Sequence, residues 1–278
     1  MQGKKPDPIT GASLVRIDGV EVELLRLGQG QPLLYLHGMD GLEGSLDMVG
    51  RLAEHFEVFA PSHPGFGISE LPARFSTVED LAYFYLDLVE TLGLRAPAVA
   101  GLSFGGWIAA SMAIKNPQVA SRLVLGAPLG LKATDRRRQD IADLFMLPAA
   151  AAEQIQQVTP LATKPLAQME AGELYRLFRN REAVSLFGWS PYLHDPKLRQ
   201  RLHRIQAPTL VLWGRDDALL PPQYGDAFAQ EIPGAQCEIL DRCGHRIHID
   251  KPNELAERIA AFAATSHLRE DRHARLAV

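Results

Sequence analysis

Residues 98–106 read AVAGLSFGG, a short apolar run that ends in a glycine-rich turn around a single serine. The run at residues 98–100 is typical of a buried strand, and a segment of helical periodicity begins at Phe104. Small residues on both sides allow a sharp reversal between strand and helix, which would force Ser103 into a strained backbone conformation. Its hydroxyl would then stand at a helix N-terminus, which favours the negative charge that develops during acyl transfer. The turn therefore predicts a nucleophile at Ser103.

Short apolar runs and segments of helical periodicity alternate along most of the chain. Runs this short, rich in Val and Leu, suit strands buried on both faces of a parallel sheet. Upstream, residues 13–26 alternate around Asp18-Gly19, which is typical of an antiparallel hairpin at a sheet edge. The pattern predicts an α/β fold with a mixed, mostly parallel sheet and helices on both faces. The predicted strands are residues 33–36, 58–60, 98–100, 123–125, 210–213 and 238–240, and the predicted helices are 46–55, 78–92, 104–116 and 253–264.

The alternation lapses between residues 129 and 206. This segment holds no strand-like run, but helix-like pieces lie at residues 139–147, 174–187 and 197–205. An insertion of this size is too large for a plain crossover between two strands, so we expect a cap over the carboxyl edge of the sheet. We accordingly divide the chain into a core, residues 1–128 and 207–278, and a helical cap insertion, residues 129–206.

Composition narrows the class of protein. With 278 residues, 46% hydrophobic and 22% charged, the chain matches an ordinary globular protein rather than a disordered or coiled-coil one. A net charge of −4 excludes the basic footprint of a nucleic-acid binder, and no apolar stretch is long enough to span a membrane. Residues 1–8 lack the apolar segment of a secretory signal. Together with only two cysteines, Cys237 and Cys243, which we expect to be reduced thiols, this predicts a cytoplasmic location.

A serine nucleophile requires a base, and the base in turn requires a carboxylate that orients it. His245 follows the last strand-like run, while Asp216 and Asp217 follow the run at 210–213, so all three should reach the same edge of the sheet. The order serine, aspartate, histidine is the one that this strand–turn–helix architecture requires. Three other histidines fit that order less well, and we expect them to support turns and loops or to face solvent: His37, His63 and His248.

Acyl transfer also requires two donors for the oxyanion. One should be the backbone N–H of Phe104, the residue after the nucleophile. The other should come from the loop after the third strand, residues 37–41, where the N–H of Met39 is the candidate.

The sequence lacks the motifs of nucleotide-binding and metal-dependent proteins. The sequence contains no phosphate-binding GxxxxGK[ST] loop, no complete dinucleotide fingerprint, no HExxH and no paired cysteine spacing for zinc, so we expect neither a metal nor an organic cofactor. Apolar residues of the cap, with Phe145 and Trp189 as candidates, would line a substrate pocket, although the same helical periodicity also describes plain core.

Five motifs follow one another along the chain: HG at 37–38, PGFGIS at 64–69, GLSFG at 101–105, WGRDDALLP at 213–221 and GH at 244–245. In this order they resemble the α/β-hydrolase superfamily in its capped branch, over residues 17–264. The resemblance implies the α/β-hydrolase fold, with Ser103 as nucleophile, Asp217 as acid and His245 as base. Asp217 is implied over Asp216 because the family's acid usually stands three residues after the strand-end glycine.

Differences between this sequence and related branches of the superfamily reduce the number of possible reactions. A serine nucleophile argues against the members that dehalogenate or open epoxides, which use a carboxylate. Members that hydrolyse carbon–carbon bonds of meta-cleavage products usually carry Asn before the serine and Trp after the histidine, where this chain has Leu102 and Arg246. We therefore expect a serine hydrolase of small or medium carboxylic esters. The alternatives are a carbon–carbon hydrolase, a cofactor-free perhydrolase and a non-catalytic receptor or scaffold. The expected partner is a small-molecule substrate, with neither nucleic acid nor membrane, and homo-oligomer formation is left open.

Overall fold

One eight-stranded sheet organises the chain in the computed structural model, which describes residues 6–134, 141–160 and 164–265. The strands are β1 Ser13–Ile17, β2 Val20–Leu27, β3 Pro32–Leu36, β4 Glu57–Pro61, β5 Ala98–Leu102, β6 Arg122–Gly126, β7 Thr209–Gly214 and β8 Gln236–Leu240. Their order is β1-β2-β4-β3-β5-β6-β7-β8. β2 is antiparallel to both of its neighbours, and every other pair is parallel. The predicted α/β class and mostly parallel sheet are confirmed.

Helices connect the strands. The α-helices are α1 Leu46–Leu52, α2 Val78–Thr91, α3 Phe104–Lys115, α4 Ala149–Gln154, α5 Ala171–Gly188, α6 Gln223–Glu231, α7 Ile247–Asp250 and α8 Pro252–Ala264. The four helices predicted between strand-like runs correspond to α1, α2, α3 and α8, with ends that differ by a few residues. Among the described helices, none is long and apolar enough to cross a membrane.

The hairpin at the start of the sheet forms where the sequence predicts it. β1 and β2 are joined by Asp18 and Gly19, whose φ angles are 41° and 79°. A two-residue hairpin turn that matches the twist of its strands requires positive φ at both positions, which Asp-Gly accommodates well.

The segment between β6 and β7 is helical but differs in detail from the prediction. The predicted helix at 174–187 lies within α5, and the one at 197–205 is a 3-10 helix at Arg199–Arg204. The helix predicted at 139–147 is wrong over residues 141–147, which form turns and bends; residues 139–140 lie outside the described part. There, Asp143 Oδ1 accepts the N–H groups of Phe145 and Met146 at 3.0 and 3.2 Å, and this local turn competes with a helix.

A buried ion cluster ties this segment to the sheet. Arg176 of α5 donates both terminal nitrogens to Glu23 of β2, at 3.0 and 2.6 Å. Arg176 is 2% exposed and Glu23 is fully buried. Asp7 Oδ1 lies 2.9 Å from the same guanidinium. Glu43 Oε2 lies 3.7 Å from it as well, so three carboxylates on one buried cation fix the position of α5 over β2.

We expect Arg176→Ala to lower the free energy of unfolding by about 3–5 kcal/mol, because it leaves a buried carboxylate without its cation. Urea denaturation of the purified variant measures this loss. The matched control is Arg199→Ala, whose partner Glu231 lies 2.8 Å away in an ion pair that is 45% and 33% exposed. An exposed pair of this kind contributes at most about 1 kcal/mol. Equal losses in the two variants would contradict the role assigned to the cluster.

Candidate active site

The turn between β5 and α3 holds Ser103 in a strained conformation. Its φ and ψ are 50° and −113°, in the left-handed half of the map that non-glycine residues rarely adopt. The turn needs glycine on both sides: a Cβ at Gly101 would overlap the carbonyl oxygen of Gly105, and a Cβ at Gly105 would overlap that of Leu36. The strained strand-to-helix turn predicted at Ser103 is therefore present.

Three side chains form a hydrogen-bonded chain at this turn. Ser103 Oγ lies 2.7 Å from His245 Nε2, and His245 Nδ1 lies 2.8 Å from Asp217 Oδ2. Because an ionised carboxylate only accepts, Nδ1 carries the proton, which leaves Nε2 free to accept from the serine hydroxyl. The residues are 7%, 3% and 5% exposed, in the same order. This arrangement can deprotonate the serine as it attacks an acyl group.

The two adjacent aspartates, Asp216 and Asp217, differ in burial and in hydrogen bonding. Asp217 is buried, and its Oδ1 accepts the N–H groups of Leu219 and Leu220, each at 2.9 Å. These bonds orient the carboxylate so that Oδ2 faces His245. Asp216 is exposed, and its N–H donates to the carbonyl of Cys243 at 2.9 Å. Asp217, rather than Asp216, is thus the carboxylate brought to the imidazole.

The loop after β3 passes directly beside Ser103. A Cβ built on Gly38 would lie 3.4 Å from the Cβ of Ser103. Phe104 is the first residue of α3, where backbone N–H groups have no acceptor within the helix. The N–H groups of Met39 and Phe104 remain the predicted oxyanion donors.

Two stacked histidines hold that loop. The ring centroids of His37 and His63 are 3.7 Å apart. His37 Nδ1 donates to the carbonyl of Gly38 at 2.7 Å, and its Nε2 accepts the N–H of His63 at 3.1 Å. His63 Nε2 donates to the carbonyl of His37 at 2.9 Å, and the Tyr85 hydroxyl bonds its Nδ1. Burial lowers the pKa of His37 to about 4 and that of His63 well below its usual range. Both rings are neutral supports of the loop, as expected from the sequence.

Residues 31–252 match the family model described as alpha/beta hydrolase fold. The chain belongs to this family. The match spans β3 to the beginning of α8 and contains Ser103, Asp217 and His245.

Three curated proteins illustrate the range of its relatives. A 2-hydroxymuconate semialdehyde hydrolase of Pseudomonas putida is 26% identical over 95% of this chain and 98% of that protein. A human monoacylglycerol lipase is 26% identical over 87% of this chain and 78% of that protein. The dihydrolipoyllysine-residue acetyltransferase component of an acetoin cleaving system from Cupriavidus necator is 28% identical over 86% of this chain. The chain spans 65% of that last protein's length, which is less than two thirds.

This α/β hydrolase has a cavity of about 530 Å³ whose wall does not include Ser103, His245 or Asp217. Its wall does include Met39, which follows the Gly38 that lies beside Ser103, and Arg246, which follows His245. Of the two predicted pocket residues, Phe145 lines the cavity and Trp189 does not. Trp189 is 62% exposed and packs behind Phe145, with ring centroids 5.5 Å apart. The structure thus brings only Phe145 to the cavity.

Sequence reasoning missed an ion cluster in the same wall. Arg246 donates to Asp40 Oδ1 at 2.6 Å, to Glu153 Oε2 at 2.5 Å and to Gln157 Oε1 at 2.9 Å. The one signal in the sequence was an arginine after His245, where the carbon–carbon hydrolases have tryptophan. Its partners lie 206, 93 and 89 residues away along the chain, and no local pattern reveals them.

The remaining candidates are possible metal ligands, the two cysteines and His248. Among the described residues, no cluster of three or more His, Cys, Asp and Glu side chains is arranged to hold a metal ion. Both cysteines are free, and burial raises the pKa of Cys237 to about 11 and that of Cys243 to about 12. His248 is buried, its Nε2 lies 4.0 Å from Asp40 Oδ2, and burial lowers its pKa to about 4.

The buried neutral histidines predict loss of stability in acid. In the folded state the pKa values of His37 and His248 are about 4, against 6.5 as the ordinary value. Between pH 6.5 and 4 the unfolded chain therefore binds protons that the folded chain does not, so the free energy of unfolding falls as the pH falls. Each histidine contributes a slope of up to about 1.4 kcal/mol per pH unit. Urea denaturation across this window should show a shallower slope for His248→Gln than for the wild type, and identical slopes would contradict the prediction.

Proposed function

We propose that this α/β hydrolase is a serine hydrolase that cleaves a small or medium carboxylic ester through an acyl-enzyme. The observation that carries the proposal is the buried hydrogen-bond network of three side chains. Ser103 Oγ lies 2.7 Å from His245 Nε2, and His245 Nδ1 lies 2.8 Å from Asp217 Oδ2. The strained turn, the loop of Met39 and the cavity support the proposal, because acyl transfer needs a nucleophile presented by a tight turn, oxyanion donors and room for the acyl group.

The reaction follows from the arrangement. Ser103 Oγ attacks the ester carbonyl while His245 Nε2 takes its proton, and Asp217 stabilises the resulting imidazolium. The tetrahedral oxyanion faces the N–H groups of Met39 and Phe104. His245 then returns the proton to the departing alcohol, which leaves an ester of Ser103. Water attacks this ester with His245 again as base, and the acid and the free serine are released.

We propose that residues 129–206 act as the cap and that the cavity beneath them receives the acyl group. Its volume of about 530 Å³ lies within the usual range for small-molecule sites. Leu144, Phe145, Leu147 and Val184 give its wall an apolar part. Arg246 is paired with Asp40 and Glu153, and with Arg181 the wall holds two cations and two carboxylates, so its charges balance and the cavity suits an uncharged acyl chain. The monoacylglycerol lipase among the relatives supports an ester substrate.

A carbon–carbon hydrolase is the second candidate. The observation in its favour is the similarity to the 2-hydroxymuconate semialdehyde hydrolase over nearly the whole of both chains. Leu102 and Arg246 stand against it, since the branch usually has Asn and Trp at these two positions.

A substrate panel separates the candidates. We expect p-nitrophenyl esters from acetate upward to be hydrolysed with a kcat/KM that peaks at short or medium chains. A vinylogous 1,5-diketone should be cleaved far more slowly, and Ser103→Ala, the matched control, should cleave neither. Faster cleavage of the diketone would replace the proposal with the carbon–carbon hydrolase. Peracid formation from acetate and hydrogen peroxide without ester turnover would replace it with the perhydrolase. No turnover at all would favour the scaffold.

A further inference from the structure

The loop that carries His245 contacts the insertion through residues on both sides of His245 in the sequence. The contact segment of the insertion, residues 153–159, runs from the end of α4 into the following loop. It bonds Arg246, the residue after His245, and Asp250, at the end of α7. It also packs on Gly244, the residue before His245: a Cβ there would lie 2.9 Å from Gln157 Cα and 3.0 Å from the carbonyl oxygen of Gln156.

Arg246 makes the first set of contacts between this loop and the insertion. Its backbone N–H donates to the carbonyl of Gln156 at 2.7 Å, and its side chain donates to Glu153 at 2.5 Å and to Gln157 at 2.9 Å. Arg246 is 8% exposed, and its two side-chain bonds to the segment are charge-assisted and part-buried. The same guanidinium reaches Asp40, which directly follows the candidate oxyanion donor Met39. One side chain therefore connects the base loop, the oxyanion loop and the contact segment.

The carboxylate of Asp250 makes the second set of contacts. It accepts the N–H of Gly244 at 2.8 Å, that of Val158 at 3.0 Å and that of Thr159 at 2.7 Å. The residue before His245 and two residues of the insertion thus share one carboxylate. If the segment moved away, Arg246 would lose its backbone bond to Gln156, and the carboxylate that holds Gly244 would lose the N–H groups of Val158 and Thr159.

We propose that the contact segment of the insertion positions the base, with Arg246 and Asp250 as the positioning residues that align His245 with Ser103. This inference rests on the proposed function, because it assumes that His245 acts on Ser103. A general base must lie within hydrogen-bond reach of the proton it takes. A displacement of about 1 Å by a distant change costs about 10²-fold in rate. The insertion therefore completes the catalytic arrangement when it is docked, in addition to lining the substrate cavity.

The test compares a short ester with a long one. Arg246→Met and Asp250→Ala should each lower kcat for p-nitrophenyl acetate by about 10–100-fold and leave its KM nearly unchanged, because the acetyl group needs little of the cavity. The long ester should lose kcat by the same factor. Arg246→Lys should recover part of the loss. Lys164→Ala removes an exposed ion pair with Glu173 elsewhere on the insertion and serves as the matched control, with activity unchanged.

Opposite patterns overturn the inference. An unchanged kcat for the acetate, with a raised KM confined to the long ester, would show that the segment only binds substrate. If Arg246→Met or Asp250→Ala fails to fold, as judged by its melting curve, Glu153→Gln carries the test. It should lower kcat for the acetate by about 3–10-fold, as part of the loss expected from a displaced base. An unchanged kcat in that variant would overturn the inference.

A second readout does not depend on turnover. An imidazole N–H that donates to a carboxylate gives a proton resonance at unusually low field. The signal from Nδ1 of His245 should be present in the wild type and lost or broadened in Arg246→Met and Asp250→Ala. Its persistence in both variants would overturn the inference. If the wild type hydrolyses no ester, the proposed function fails, and this resonance still decides whether the segment holds His245.

Discussion

Asp217→Asn is expected to lower kcat for ester hydrolysis by about 10⁴-fold, the loss known for the same change in a serine protease. Asp217 Oδ2 accepts the proton on His245 Nδ1 at 2.8 Å. An amide N–H at that place would donate instead, and would hold the imidazole in the tautomer whose Nε2 cannot accept the proton of Ser103. Steady-state kinetics on a p-nitrophenyl ester measure the loss.

The neighbouring carboxylate provides the control. Asp216 is exposed, and its backbone N–H rather than its side chain bonds Cys243, so Asp216→Asn should change kcat less than about 3-fold, as surface changes usually do. Comparable losses in the two variants would mean that the effect is one of net charge rather than of orientation. A larger loss for Asp216 would contradict the assignment of the acid.

His245→Ala is expected to abolish almost all turnover, with a loss of about 10⁶-fold in kcat, because the serine keeps no base at all. His248→Ala should cost less than about 10-fold. Its Nε2 lies 4.0 Å from Asp40, and the described contacts place it on neither Ser103 nor Asp217. Rates measured with enough protein to detect slow background turnover separate the two cases. Similar losses in both variants would contradict the assignment of His245 as the base.

The sequence could predict those parts of the fold and site whose signals are local. Residues 98–106 specify strand, strained turn and helix in nine positions, and the close contacts of Gly101 and Gly105 show why glycine stands there. The resemblance implies Asp217 over Asp216 because Asp217 stands three residues after Gly214, and the burial of Asp217 and the exposure of Asp216 agree with it.

Contacts between distant segments left no such signal. Arg176 and Glu23 lie 153 residues apart, and Arg246 lies 206 residues from Asp40. Each side chain alone is typical of a solvated surface, and only the tertiary structure shows that they pair. The segment between β6 and β7 departs most from its predicted helices for this reason. An Asp143-centred turn replaced a predicted helix, and the alanine-rich α4 carried no apolar periodicity by which to recognise it.

The direct test of the account is covalent labelling with an organophosphonate, which reacts with a serine only when a base activates it. We expect stoichiometric labelling of the wild type, with the modified peptide mapping to Ser103, and no labelling of Ser103→Ala. His245→Ala should label far more slowly, because the serine keeps its place but loses its base. Label on another residue, or Ser103→Ala with full esterase activity, would contradict the account.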